Sequence, residues 1–94
     1  MRIEKTARFL LELEQVLEFI AEDSFLQAQS FKNDLDKSVY SLLSMPYKCR
    51  QSIKSKHINV RDLIFMGYVV PYRVNDFENR IEIIGIFNGN QWNI

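Results

Sequence analysis

The side chains able to move protons or hold anions gather in one stretch of the chain: Lys54, Lys56, His57 and Arg61, with Arg73 further on. Cleaving RNA without a metal needs a base for the 2′-hydroxyl, an acid for the leaving oxygen and a cation for the charge that develops on phosphorus. These five residues are the candidates for those roles. His57 is the candidate base or acid, because its ordinary pKa lies near neutrality. Its plainer reading is a loop histidine with no partner visible in the sequence. Arg61 either clamps a phosphate or, next to Asp62 at the start of a strand, makes a structural ion pair or a surface contact. A second kind of chemistry, binding without reaction, points to Gln91 and Trp92, since tryptophan is favoured at the centre of protein interfaces. In the plainer alternative Trp92 covers a sheet edge. Cys49 is the single cysteine, so there is no internal disulfide and no cluster of metal ligands. No Ser-His-Asp set, phosphate-binding loop or paired-glycine fingerprint can be assembled, and nothing in the sequence requires a cofactor.

These residues have to be positioned by a small framework. Between Asn59 and Trp92, three runs rich in Val, Ile, Leu, Phe and Tyr are separated by Met66-Gly67, by Asn75 to Asn79 and by Asn88-Gly89-Asn90. That pattern predicts an antiparallel meander. In its middle run Tyr68, Val70, Tyr72 and Val74 share one face, and Val69, Pro71 and Arg73 take the other. The alternation makes Tyr68 and Tyr72 core residues. Pro71 has no amide to give a ladder, so it requires either an edge facing away from a neighbour or a bulge.

Upstream, Arg2 to Lys5 can form a short strand, and Thr6 is placed to cap a helix. Phe9, Leu10, Leu13, Val16, Leu17 and Ile20 follow the three-four spacing of one buried helical face. Glu12, Glu14, Glu18 and Glu22 occupy the remainder, either as a solvated surface or as a site for a basic partner. Ser24 and Gln27 have the form of a capping box, so a second helix starts at Phe25 after a minimal break. Ala28, Phe31, Leu35, Val39 and Leu42 form its stripe, with Tyr40 and Leu43 beside it. The helix ends before Met45-Pro46. Tyr47 to Ile58 reads as an exposed basic connection. The expected fold is α+β with order β-α-α-β-β-β: an antiparallel sheet with the helical hairpin on one face, in one domain over residues 1–94.

Charge divides unevenly along this framework although the net is zero. Residues 1–36 carry eight acids against four bases, whereas residues 37–61 carry six bases and no acid. A chain that lives on nucleic acid is usually strongly basic overall, because phosphate neutralisation supplies most of its affinity. No apolar run is long enough to span a bilayer, and the charged start does not resemble a signal peptide, so the expected location is the cytoplasm.

The run V-R-D-L-x(4)-Y-x-V-x-Y-R-V from Val60 to Val74, followed by a strand and then Gln91-Trp92, resembles the RelE/ParE superfamily of toxins from type II toxin–antitoxin systems. The resemblance extends over the whole chain. RNA-cleaving members of RelE type place lysines on the first meander strand, an arginine just after the Gly-Tyr that opens the second, and an arginine after the last. At the matching positions stand Val60 and Asp62, then Val69, then Gln91. The sequence therefore is more similar to the ParE branch, which implies inhibition of DNA gyrase without catalysis. It also implies a cognate antitoxin that wraps over the toxin, with promoter DNA bound only through that antitoxin. On this reading Gln91, Trp92 and Arg61 contact the partner. The alternatives are a ribosome-dependent endonuclease of messenger RNA, using Lys54, Lys56, His57, Arg61 and Arg73, and a non-toxic protein that only binds the antitoxin.

Overall fold

A computed structural model describes residues 1–89. Strand β1 (Arg2–Lys5) leads into helix α1 (Ala7–Asp23), and helix α2 (Phe25–Ser41) follows directly. Both helix starts are fixed by side chains. The Thr6 hydroxyl accepts the Phe9 amide at 3.1 Å, and the Ser24 hydroxyl accepts the Gln27 amide at 3.2 Å. Each satisfies an amide that the first turn leaves open. The chain leaves α2 through a tight turn at Leu42 and Leu43, ahead of Pro46. Strands β2 (Arg50–Gln51), β3 (Val60–Phe65), β4 (Tyr68–Asn75), β5 (Arg80–Ile83) and β6 (Phe87–Asn88) complete the order. The expected β-α-α-β-β-β sequence is present, with two two-residue strands added to it.

The strands lie in the order β1-β5-β4-β3-β2, and β6 also pairs with β4. The meander is antiparallel as expected, but β1 joins β5 in parallel, with Arg2 opposite Arg80 and Lys5 opposite Ile83. The sheet is therefore mixed. Between β5 and β6, residues Ile84, Gly85 and Ile86 oppose only Val70 and Pro71 of β4. This one-residue excess is a bulge, and it accounts for Pro71. The Pro71 carbonyl accepts from the Ile84 amide, so the proline's missing amide faces the bulged side and not the β3 ladder.

The core lies between the hairpin and one face of the sheet. Ala28, Phe31, Leu35, Val39 and Leu42 of the second helix are all buried, against Val70, Tyr72, Val74, Ile81 and Ile83. Phe31 meets the rings of Phe65 and Tyr68 edge-on at 5.2 and 5.5 Å. The Tyr72 hydroxyl has to be satisfied inside this core, and it donates to the Pro46 carbonyl at 2.7 Å. Burial pushes its pKa upward. On α1 the expected stripe is only partly buried: Phe9 and Leu13 are covered, but Leu10 is half exposed.

Candidate functional site

Residues 50–58 are more than an exposed connection. Arg50 and Gln51 pair with Asp62 and Arg61, and the Ser52 amide donates to the Val60 carbonyl at 2.8 Å. The segment forms a strap over the sheet face that the helices leave open. Arg61 holds both ends of it. Its Nε donates to the Ile58 carbonyl at 2.8 Å and its terminal nitrogen to the Cys49 carbonyl at 3.1 Å, while the guanidinium lies 4.9 Å from the Tyr47 ring centroid. The Tyr47 hydroxyl in turn donates to Asp76 at 2.8 Å, which raises the phenol's pKa.

Successive side chains on a strand point to opposite faces, which decides what Arg61 and Asp62 can do together. Arg61 stands opposite the core residue Tyr72, so Asp62 faces the open side, opposite Pro71. An ion pair between these neighbours, one of the two structural readings of Arg61, is therefore not formed. Asp62 meets Arg50 instead, at 3.6 Å, with its own side chain fully buried and Arg50 half exposed. Neither Asp62 carboxylate oxygen has a hydrogen-bond partner.

The same parity collects three positions of interest. Val60, Asp62 and Val69 all face the open side, since Val60 opposes Arg73, Asp62 opposes Pro71 and Val69 opposes Ile64. These are the positions at which a RelE-type nuclease, by the resemblance, would carry two lysines and an arginine, and all three lie on this face. Here it presents two valines and a buried carboxylate, with Phe87 beside Val69 and the Lys54 ammonium 4.5 Å from the Phe87 ring centroid.

The proposed nuclease set is dispersed over this framework. Arg73 lies on the open face but holds Glu82 at 2.7 and 3.2 Å. Arg80 and Asn75 also donate to Glu82, and the hydrogen bonds from Arg73 come first among the causes that pull its carboxyl down to a pKa of about 2. Arg61, on the other face, donates to two carbonyls. His57 sits exposed on the strap, its backbone amide bonded to the Ser55 hydroxyl at 3.2 Å, and Lys56 is exposed beside it. The two arginines leave opposite faces of the sheet, and each is held by other partners. Gln91 and Trp92 lie outside the described residues.

Sequence reasoning missed two features. The first is the strap, whose signal was Ser52: a small polar residue can be buried on a sheet where a lysine cannot. The second is a groove along the outer side of the hairpin, about 550 Å³, lined by Leu10, Leu13, Leu17, Ala21, Phe25 and Ala28. Glu14, Glu18, Gln29 and Lys32 complete its lining. Leu10 and Phe25 are 50% and 65% exposed, which leaves apolar surface in water without cover from the described residues.

Among the described residues no helix is long and apolar enough to cross a membrane, and no group of three or more His, Cys, Asp or Glu could hold a metal. No curated protein matched the sequence. A solved chain of the chromosomal ParDE TA system from P. aeruginosa shares the fold, with a TM-score of 0.74 at 19% identity, covering 94% of this chain and 95% of that one. The family described as the ParE toxin of the type II toxin-antitoxin system, parDE, matches residues 3–91. With its strand, helical hairpin and meander in that order, the chain belongs to the ParE toxin family of type II toxin–antitoxin systems.

Proposed function

We propose that this toxin inhibits DNA gyrase by binding it in the cytoplasm, without cleaving a substrate, and is neutralised by a cognate antitoxin. The observation that carries the reading is the sheet face beneath the strap at Val60, Asp62 and Val69, of which Asp62 and Val69 are buried. Two valines there supply no cation, and a buried carboxylate repels the phosphate that a ribonuclease has to hold. The two arginines of the nuclease set support the same reading, because Arg61 fixes the strap and Arg73 is committed to Glu82. The gyrase target follows from likeness to the ParE branch.

The antitoxin's place is the groove of the hairpin. Its apolar floor suits the nonpolar side of an amphipathic segment, and Glu14 and Glu18, two acids against the one base Lys32, favour basic residues flanking it. Promoter DNA is then bound through the antitoxin.

Purified, antitoxin-free protein tests the reading in two assays. Supercoiling by gyrase should be inhibited, and messenger RNA on ribosomes should stay intact. Ribosome-dependent cuts that fall about tenfold or more in His57→Ala and Arg61→Ala would replace this proposal with the endonuclease alternative.

A further inference from the structure

The strap combines two properties that a merely solvated loop would not need. Its cations Arg50, Lys54 and Lys56 come from the acid-free stretch of the chain, and beside them stand Ile53 and Ile58, 65% and 69% exposed. Ile64 on the adjoining strand is 53% exposed. Arg50, Ile53, Ile64 and Val69 line an open groove of about 390 Å³, whose far side is formed by Gly67 and Gly89. The Gly89 amide donates to the Gly67 carbonyl at 2.8 Å, and an added Cβ at Gly89 would lie 2.8 Å from that oxygen. The two segments can approach this closely only because a glycine stands at position 89.

We propose that the strap and this groove are the docking face for an acidic, aliphatic-bearing surface of the toxin's target protein; this rests on the reading that the toxin acts by binding a protein. Charge complementarity selects an acidic partner. The aliphatic character selects protein over nucleic acid, because residues 50–58 contain no Phe, Tyr or Trp on which a base could stack, and the ring of Tyr68, which also lines the groove, is packed against Phe31 at 5.5 Å. The antitoxin is a poor occupant. A segment basic enough for the hairpin groove has the wrong charge for the strap, and the two lie on opposite sides of the sheet. The strap is also pre-organised. Arg61 closes it at Cys49 and Ile58, Val60 donates back to the His57 carbonyl, and the Ser52 hydroxyl accepts the Lys54 amide. A surface already ordered loses little conformational entropy on binding.

The test is an Ile53→Ser/Lys56→Glu variant of the full chain, compared with wild type for growth inhibition, gyrase inhibition, antitoxin affinity and melting temperature. Toxicity should fall about tenfold or more, as for loss of an interface anchor, with antitoxin affinity and melting temperature unchanged. Lys56→Arg, which keeps the charge, should remain toxic. Full toxicity in the double variant overturns the inference, as does a parallel loss of antitoxin affinity. If the wild type is toxic but leaves gyrase active, the target is misidentified and the growth assay still decides for the strap. A wild type that does not slow growth defeats the underlying reading itself.

Discussion

Asp62→Asn removes one charge from beneath the strap while nearly preserving shape, and its expected effect has an unusual sign. At 3.6 Å and an effective dielectric near 20, the attraction between Arg50 and Asp62 is about 4–5 kcal/mol. Half exposure of Arg50 screens part of it. Taking the carboxylate out of water costs several kcal/mol after relaxation, and neither oxygen recovers a hydrogen bond. The two terms nearly cancel, so the carboxylate contributes little to stability or opposes it. Asp62→Asn should therefore leave stability unchanged or raise it by up to about 2 kcal/mol. Arg50→Ala should cost about 1–3 kcal/mol, because it leaves the buried charge uncompensated. In the double variant the loss should vanish, since the charge that needed Arg50 is gone. Urea unfolding midpoints at a constant m-value measure all three. A loss of 2 kcal/mol or more for Asp62→Asn alone would show that the carboxylate makes favourable contacts, and that the strap does not lie over it as described.

Two further outcomes follow from the same geometry. An added methyl in Gly85→Ala meets the Glu12 carboxylate, which accepts the Ile86 amide at 3.1 Å; Gly85→Ala and Glu12→Ala should each cost about 1–3 kcal/mol. The double variant should cost about as much as one of them, and simple addition in thermal unfolding would exclude this shared bond. Glu82 supplies a pH dependence. Its folded pKa of about 2 lies below the ordinary 4.5, so its stabilisation is full above that value and is lost as pH falls toward 2. The loss should be about 1–3 kcal/mol, discounted for the exposure of Arg73. Glu82→Gln should flatten the stability profile in that window, and an unchanged slope would refute the assignment.

Much of this framework was legible because it is local. Thr6 and Ser24 announce both helix starts by residue type and spacing, and the stripe from Ala28 to Leu42 repeats at helical period and is buried throughout. Leu10 also fits the period, yet it is half exposed, because periodicity identifies an apolar face without saying whether this chain covers it. The opposed directions of Arg61 and Asp62 were available from strand geometry alone, since adjacent strand residues cannot share a face. What the sequence could not carry is register over distance. Nothing near Arg50 marks Asp62 as its neighbour, and the bulge at Ile84 to Ile86 exists only relative to Pro71 across the sheet. The dispersal of the five candidate nuclease residues is of this kind: their proximity in sequence concealed that Arg61 and Arg73 leave opposite faces.

The parallel pairing of β1 with β5 also sets an order of events during synthesis. The helical hairpin depends on near neighbours and can form while the chain is still growing, but Arg2 to Lys5 must wait for Arg80 to Ile83. Contacts between such distant positions are slow to close. During that interval the core side of both helices has no complete sheet to rest on, and the nascent chain exposes apolar surface to chaperones and proteases. A cell carrying this toxin thus has a period in which the chain is already made but its binding surfaces are not yet assembled.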